Sequence, residues 1–552
     1  MKKFKIKFAA LVAITLFMAA CDKNDLNIIN PNQPTPGSAS TEIGILALSQ
    51  GSIYINGFRG LDAKFNDGVY GFFWSGAIGM HEMLGDNIGI EAANAFLNQF
   101  ACPDAVTLDN GTTVLNPNSP KTHYELLRQV NANANQGANP TFHEWANMYG
   151  LNNGANNILE VLEKVKFSGN ADVKKKTLQA WAYFWKGFAY ARIGSIYYAG
   201  LINSKANETN GNFVAKEKII EESNANFDKA ATLLGGLAAG GDYDVVLNKI
   251  IPSFCQVGKG GALSPAAWIR NINTLKARNI LVNTPAASMT AAQWGSVLSL
   301  TNTGIKADDL TFTGRSNEAG DIWAIQNGSV AAKATAGATA KAGDNTYKIS
   351  ERLVQEFKTG DKRLTQNFVL STAWIGNPDR GNAFNTRYAL KDGGTGVAGT
   401  IIYSNRTSGA TELYLVGTYE ENELMKAEAK INTNDITGAL TSIDAVRTAQ
   451  GAGLAALVGT TVSLANAKEE VRRERRCALA FRGLAFYDAR RYGISEKGGA
   501  GKTGAVVVDG TGKVNTNATV KYNYLDYWDV PDNELAYNPA AAGSAPLTNP
   551  KK

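Results

Sequence analysis

Histidines and catalytic motifs are scarce in this chain of 552 residues. It has three histidines, His81, His123 and His143, and none stands in a metal-ligand motif, since His143 and Glu144 lack the second histidine of a zinc-protease helix. Phosphate-binding loops and nucleophile elbows are absent from the sequence as well. We therefore predict no catalytic residues, no metal site and no cofactor, although the numerous carboxylates leave a glycosidase-type pair open.

Cysteines and long apolar runs are also few. Cys21, Cys102, Cys255 and Cys477 are scattered along the chain, which is no pattern for a disulfide framework. Beyond the N-terminal segment, no stretch reaches the roughly 20 apolar residues that a membrane span needs. The formal net charge is +6, but the first twenty residues contribute four lysines and no acid, so the rest is close to neutral. We therefore expect no nucleic-acid partner.

The N-terminus has the pattern of a bacterial lipoprotein signal. A lysine-rich start leads into an uncharged, largely apolar run over residues 8–20, and Cys21 follows two alanines. This predicts a signal peptide over residues 1–20 and lipidation of Cys21. An ordinary cleaved signal with an unrelated cysteine is the alternative. Residues 21–40 are polar and contain several prolines, so we predict that they form a flexible tether.

Helical periodicity dominates the middle and the C-terminal third. A capping box at Thr141 and Glu144 predicts a helix to about residue 162, and a second helix, apolar nearly all round, is expected from 172 to 193, with Gly194 ending it. Trp145, Trp181 and Trp185 fall in this periodicity and are predicted to lie in the core. Further helices are predicted at residues 216–234, 264–282, 290–305, 411–431, 435–448 and 465–492.

This pattern predicts a mainly α fold of tetratricopeptide-like helical hairpins, although no regular 34-residue period is present. The helical body is expected at about 141–306 and 411–494. Residues 102–140, 308–410 and 497–520 lack helical rhythm. The middle section, about 308–410, contains short strand-like runs and several aromatic residues, and loops of this length are usually functional or disordered.

Three C-terminal segments carry a family resemblance. Residues 419–430 read YEENELMKAEAK, residues 471–493 read VRRERRCALAFRGLAFYDARRYG, and residues 528–539 read WDVPDNELAYNP. Together they resemble the SusD/RagB family, the surface lipoproteins of Bacteroidetes nutrient-uptake systems. In the second segment, Ala478, Arg482 and Ala485 stand where that family usually has Glu, Glu and Arg. The ion pairs of this helix are therefore expected to be rewired, as in a divergent member.

The resemblance implies a function and a location. Residues 41–552 would form one SusD-like domain, anchored in the outer membrane through Cys21 and facing the cell surface. It would bind an oligosaccharide and deliver it to a partner, a SusC-like TonB-dependent transporter that supplies the transport energy. Two alternatives stay open: a peptide ligand, as in the RagB branch, and a surface protein with an adhesive or structural role.

The same resemblance implies that the N-terminal third and the irregular insertion at about 308–410 face the ligand. Aromatic rings would stack on sugar faces there, while polar side chains would bind the hydroxyl groups. The predicted ligand-binding residues are Trp74, His81, Asp86, Asn87, Trp323, Trp374 and Tyr388. The arginine-rich stretch Arg472–Arg476 is interpreted as a structural helix face, and the acidic cluster Glu420–Glu428 as helix pairing and not as a metal site.

Overall fold

The computed structural model describes most of the chain beyond its first 38 residues. The described ranges are 39–55, 78–90, 97–100, 102–132, 134, 140–314, 347–375, 386–390, 412–492 and 504–551. Cys21, Trp74 and Trp323 lie outside them, so their predicted roles stay predictions.

Helices make up most of the described structure, which confirms the mainly α prediction. Within the described ranges, every helix falls short of the length and apolarity that a membrane crossing requires. The helices are α1 Glu42–Gln50, α2 Gly79–Leu84, α3 Leu97–Phe100, α4 His123–Val130, α5 Pro140–Leu162, α6 Ala171–Ile196, α7 Lys216–Gly235, α8 Gly241–Ile250, α9 Pro265–Val282, α10 Ala291–Asn302, α11 Glu351–Val354, α12 Lys362–Asn367, α13 Tyr419–Asn432, α14 Ile436–Ala449, α15 Leu464–Ala478, α16 Ala485–Arg491 and α17 Asp532–Tyr537.

Consecutive long helices pack against one another as hairpins. Helix α6 packs on both α5 and α7, and α13 packs on α14 in the same way. Helix α6 is the centre of the core, because its apolar residues point in every direction and find neighbours there. Trp181 and Trp185 are 0% exposed, and Trp145 is 1% exposed, so the prediction that these tryptophans lie in the core is confirmed.

In the described ranges, strands are short and mostly paired in twos, apart from one antiparallel sheet of four strands. The order of its strands across the sheet is Ala505–Val508, Val514–Lys521, Ala105–Thr107 and Thr113–Leu115. Two of the sections that lack helical rhythm, 102–140 and 497–520, supply this sheet, and the sequence did not predict it. The strands are β1 Ile88–Ile90, β2 Ala105–Thr107, β3 Thr113–Leu115, β4 Ala199–Gly200, β5 Val214–Ala215, β6 Thr313–Gly314, β7 Tyr347–Ile349, β8 Phe368–Ile375, β9 Thr386–Leu390, β10 Leu413–Tyr414, β11 Ala505–Val508 and β12 Val514–Lys521.

The ends of the helices show which local sequence signals predicted a helix boundary correctly. The capping box at Thr290 and Gln293 is present, and Ser264 caps α9 ahead of a proline at the first helical position. The predicted capping box at Thr141 is wrong, because α5 begins at Pro140 and the Thr141 hydroxyl donates to Asn131 Oδ1 instead.

Gly194 does not end α6, which continues to Ile196. A Cβ atom on Gly194 would lie 2.9 Å from Ile220 Cδ1 of α7, so this glycine permits close packing of two helices. The predicted helix from residue 411 begins later, at Tyr419 with Thr418 as its N-cap, because Leu413 and Tyr414 pair with β6 as a strand.

The predicted helix over 465–492 is broken into α15 and α16. Between them, Phe481 and Gly483 adopt positive φ angles of 62° and 68°, a conformation that no helix contains. The sequence shows only one glycine at this point, whereas the contacts that hold the break come from α2, nearly 400 residues earlier in the chain.

Candidate functional site

Three predicted ligand-binding residues lie in one short stretch, residues 78–87, which we call the 78–87 segment. It contains α2 and the turn that leads into β1. His81, Asp86 and Asn87 are all buried, with exposed fractions of 0%, 4% and 1%. Their side chains contact other parts of the chain, and a direct ligand contact for them stays a prediction.

His81 joins α2 to the two central helices. Its Nε2 lies 3.1 Å from Glu144 Oε2 of α5, and Arg192 Nε of α6 donates to the other Glu144 oxygen at 2.6 Å. Burial lowers the pKa of His81 although Glu144 acts to raise it, so the imidazole is neutral near pH 7. The ionised carboxylate can only accept, and therefore Nε2 carries the proton of the neutral ring.

Asp86 joins the 78–87 segment to the irregular insertion. Its carboxylate accepts hydrogen bonds from Arg352 Nε at 2.6 Å and Nη2 at 2.8 Å, and from the Ser350 hydroxyl at 3.0 Å. Asp86 has a positive φ of 56°, which aspartate tolerates better than most residues. The ion pair lies next to the antiparallel pairing of β1 with β7, so it fixes the two strands at their junction.

Asn87 acts through Glu82, which holds the break between α15 and α16. Asn87 Nδ2 donates to Glu82 Oε2 at 2.7 Å, and the backbone N–H of Gly483 donates to Glu82 Oε1 at 3.2 Å. Burial raises the pKa of Glu82 to about 7, with the hydrogen bonds acting against that rise. A carboxyl group from the N-terminal third thus satisfies backbone donors that the broken helix leaves open.

Tyr388 lies half-buried in β9, opposite Leu370 of β8 in the strand register. Leu370 is 56% exposed, so a tyrosine and a leucine together form an accessible apolar patch. The neighbouring Arg387 donates to Glu351 Oε1 at 3.0 Å, and its guanidinium carbon lies 5.8 Å from the centre of the Tyr388 ring. Trp374 belongs to β8, the strand that pairs with β9.

Strand packing brings Asp86 and Tyr388 into one region of the molecule. Asp86 precedes β1, β1 pairs with β7, and β7 contacts β9, which carries Tyr388. Two residues about 300 positions apart in the sequence are therefore linked through β1, β7 and β9. The structure joins this part of the predicted site, whereas Trp74 and Trp323 lie outside the described residues.

A small cavity, the first cavity, lies where α6, α9 and the start of α13 meet. Three arginines and Tyr414 line it, and the guanidinium carbon of Arg482 lies 4.8 Å from the centre of the Tyr414 ring. Each arginine is paired with a glutamate; the pairs are Arg192–Glu144, Arg278–Glu421 and Arg482–Glu420. Arg482 thus pairs with Glu420 of α13, and the expected difference from the ion pairs of the family stays a prediction. Sequence reasoning missed this cavity because its walls come from separate elements without any local motif.

A second cavity lies between the end of α15 and α16, and we call it the arginine cavity. Three arginines line it together with a carboxylate, an amide, a tyrosine and several leucine and alanine side chains; the polar residues are Arg472, Arg475, Arg476, Asp488, Asn87 and Tyr492. In both cavities the space open to the centre of a water-sized group is small, about 10 Å³ in the first and 20 Å³ in the second. A sugar ring fits in neither, so a glycan would have to bind on a more open surface.

The charged stretches flagged in the sequence pair within the protein. Glu474 of α15 accepts from Arg447 Nε at 2.8 Å and also pairs with Arg363. In α13, Glu428 accepts from Arg491 Nη2 at 2.7 Å. Both interpretations, a structural arginine face and glutamates in helix pairing, are confirmed. Within the described ranges, no group of three or more His, Cys, Asp and Glu side chains could hold a metal ion.

Comparison with known proteins identifies similar chains. Residues 299–541 match the model of the SusD family. A search of curated proteins finds no match.

Among solved structures, a SusD-like protein from Bacteroides fragilis shares 14% identity at a TM-score of 0.59, over 92% of this chain and 97% of its own. A SusD-like carbohydrate binding protein from Bacteroides vulgatus shares 13% identity at a TM-score of 0.54, over 93% and 98% of the two chains. The NanU protein of Bacteroides fragilis shares 12% identity at a TM-score of 0.55, over 94% and 100%. At these identities the likeness shows a common fold.

Proposed function

We propose that this chain, a divergent member of the SusD/RagB family, binds an oligosaccharide at the cell surface and delivers it to a SusC-like TonB-dependent transporter. The observation that carries the proposal is the family match over residues 299–541 together with a SusD-like fold over nearly the whole chain. The likeness to a carbohydrate binding protein from Bacteroides vulgatus supports a glycan as the ligand class.

The proposed ligand surface contains Tyr388, Trp374, Trp323 and Trp74. Support comes from the accessible patch of Tyr388 with Leu370 on the β8–β9 hairpin. Rings on such a patch can lie against the apolar faces of sugars, and a rigid framework beneath loops is the usual arrangement of a binding site.

His81, Asp86 and Asn87 are proposed to serve this surface as positioning residues. Through Glu144, Arg352 and Glu82 respectively, they fix α2 and the start of β1. Trp74 lies four residues before this segment in the sequence.

Anchoring and delivery complete the proposal. Lipidation at Cys21 would tether the protein to the outer membrane, and several acyl chains would make that attachment stable. The ligand would be held between the two proteins and released as this chain moves away from the barrel like a lid. Energy for transport would come from the transporter, so the chain itself would need no cofactor.

Calorimetry with a panel of glycans and peptides tests the ligand class. We expect one glycan to bind the wild-type protein and to bind Trp74→Ala, Trp323→Ala and Tyr388→Ala about tenfold more weakly, because each change removes an aromatic contact of roughly 1–2 kcal/mol. Tyr537→Ala is the matched control, since Tyr537 is 79% exposed on α17 and belongs to no predicted site. Binding of peptides alone would favour the RagB-like alternative.

Isolation of complexes from outer membranes tests the partner separately. Tagged wild-type protein should bring down a TonB-dependent barrel, and Cys21→Ser should lose both membrane attachment and most of the barrel. A wild-type sample without any such barrel would contradict the delivery role even if a glycan binds.

A further inference from the structure

The arginine cavity contains buried donors that have no partner in the described part of the chain. Nη1 of Arg475 and Nε of Arg476 have no acceptor, and the hydroxyl of Tyr492 has no hydrogen bond either. The two arginine side chains are only 1% and 9% exposed. Leaving a buried charged donor without an acceptor costs more folding free energy than leaving a neutral donor so. We therefore expect these atoms to bind a further partner.

In the described part of the chain, Arg476 has no carboxylate at hydrogen-bond distance. Its Nη1 and Nη2 donate to the backbone oxygens of Gly85 and Asp86 at 2.8 and 2.5 Å. The nearest carboxylate oxygens, of Glu356 and Asp86, lie 3.7 and 4.0 Å away. Each of those carboxylates has a closer guanidinium partner, at 2.8 and 2.6 Å. Among the described residues, the hydrogen bonds of Arg476 therefore go to backbone oxygens and not to a carboxylate.

Positive charges outnumber negative charges among the residues that line the arginine cavity. Arg472, Arg475 and Arg476 supply its guanidinium groups, and Asp488 supplies a carboxylate. Asp488 accepts from Arg475 Nε at 2.9 Å, and Arg472 pairs with Glu356 and Glu469. Among the described residues, Arg476 is thus the arginine of this lining without a carboxylate at hydrogen-bond distance.

The pKa of Arg476 is consistent with its lack of a close carboxylate. Burial lowers it from the ordinary arginine value, and the positive charges of Arg472 and Arg352 lower it further, while Asp86 acts to raise it. Arg475, which holds Asp488, has a raised pKa despite its burial. The difference between the two arginines agrees with their partners, because only Arg475 has a carboxylate at hydrogen-bond distance among the described residues.

The shape of the cavity limits what it can hold. The space open to the centre of a water-sized group is about 20 Å³, and a single water needs about 10–15 Å³. Leu479, Leu484 and Ala485 form its apolar wall, which strengthens an ionic contact by excluding water. The lining also contains the Asp488 carboxylate and Asn87 Oδ1, an acceptor without a hydrogen-bond partner among the described residues. Both oxygens repel negative charge, so a singly charged ion suits the lining better than a multivalent anion.

We propose that the arginine cavity binds one small monovalent anion of halide size, held by Arg475 Nη1, Arg476 Nε and the Tyr492 hydroxyl. The ion would join the end of α15 to α16 and to the turn of the 78–87 segment that Arg476 contacts. Its occupant is an inorganic ion and not the proposed glycan, although the cavity adjoins the 78–87 segment through Asn87.

Thermal unfolding in mixtures of sodium gluconate and sodium bromide, at constant ionic strength, tests the proposal on the full chain. Gluconate is too large for the cavity. We expect bromide to raise the Tm of the wild-type protein by about 1–3 °C, with saturation, because a ligand that binds only the folded state stabilises it. Tyr492→Phe should need about 3–10 times more bromide for the same shift, as one hydrogen bond is lost.

Two charge variants separate a specific site from a general salt effect. Arg476→Gln should lose the bromide response, whereas Lys468→Gln should keep it, since Lys468 is exposed on the same helix and does not line the cavity. An equal response in both variants, or no response in the wild-type protein, would overturn the proposal.

Crystals of the wild-type protein grown in bromide give a second measurement that needs no variant. Anomalous scattering should show a peak in contact with Arg475 and Arg476. A site with water alone, and without anomalous signal, would also overturn the proposal.

Discussion

All three histidines of the chain are buried, and each lies in a different environment. His81 contacts a carboxylate, His123 Nε2 lies 2.6 Å from the backbone oxygen of Phe100, and His143 lies on α5. Burial lowers the pKa of His123 to about 3 and that of His143 to about 4, against 6.5 for a free imidazole. The histidines therefore act as neutral core side chains over the physiological range.

This burial predicts a pH-dependent stability that the variant His143→Gln should lack. The folded pKa lies below the unfolded value, so the unfolded chain takes up the proton first as the pH falls. The contribution of His143 is complete above about pH 6.5 and is lost between pH 6.5 and 4, at about 1.4 kcal/mol per pH unit. Urea unfolding of both proteins at pH 7, 6 and 5 measures it.

The comparison between the two proteins is essential, because other groups titrate in the same range. The raised pKa values of Glu82, about 7, and of Asp104, about 6, favour the folded state as the pH falls and oppose the histidines. Both proteins share those groups, so the difference between them isolates His143. A difference in unfolding free energy that stays constant from pH 7 to pH 5 would contradict the assignment.

At the scale of elements, the docking of α2 on α16 defines the centre of the site. Gly85 ends α2 directly against Ala485, where α16 begins. A Cβ atom on Gly85 would lie 2.4 Å from Ala485 Cβ and 2.7 Å from its backbone carbon, closer than packed atoms approach. Glycine is required here by close approach, and not by its φ angle.

Gly85→Ala should therefore destabilise the protein by about 1–3 kcal/mol, because the two elements must separate to admit the methyl group. Gly295→Ala is the matched control: Gly295 is exposed in α10, and a Cβ atom there would meet nothing within 4 Å. It should stabilise the protein by about 0.5–1 kcal/mol through its better helix propensity. Urea unfolding of the two variants distinguishes them, and equal effects would argue against the proposed docking.

The helices and strands also show which features local sequence signals can predict and which they cannot. Periodicity and caps predicted α7, α9, α10 and α14 to within a few residues, because those signals are carried by neighbours in the chain. The break between α15 and α16 escaped prediction, since it depends on Glu82 accepting from Gly483 across some 400 residues. The four-stranded sheet escaped for the same reason: β2 pairs with β12, far away in the chain.

At the scale of the whole molecule, both ends of the described chain share one core. A continuous cluster of buried side chains extends from Ile45 to Val530. The sheet combines strands from residues 105–115 with strands from 505–521, and Trp145 on α5 donates to Glu534 Oε2 on α17 at 3.0 Å. Separate unfolding of either end would expose this common core.

We therefore expect a single unfolding transition, although a chain of this length often unfolds in steps. Tryptophan fluorescence and far-UV circular dichroism should give the same urea midpoint. Val106→Ala in β2 should lower both midpoints equally, because the deleted methyl groups belong to the shared core. Separate midpoints would contradict this expectation and the predicted single domain over residues 41–552.

The sequence by itself determined the helical class, the core tryptophans and the family resemblance. Helix periodicity, caps and signature segments depend on residues that are close together in the sequence. It also drew attention to His81, Asp86, Asn87 and Tyr388, but residue type alone could not separate a buried ion-pair partner from a surface side chain. Only the tertiary structure decided that Asp86 pairs with Arg352 and that Arg476 is left short of a carboxylate. The partner of a charged side chain is chosen by distance in space, and for these residues that distance is unrelated to separation along the chain.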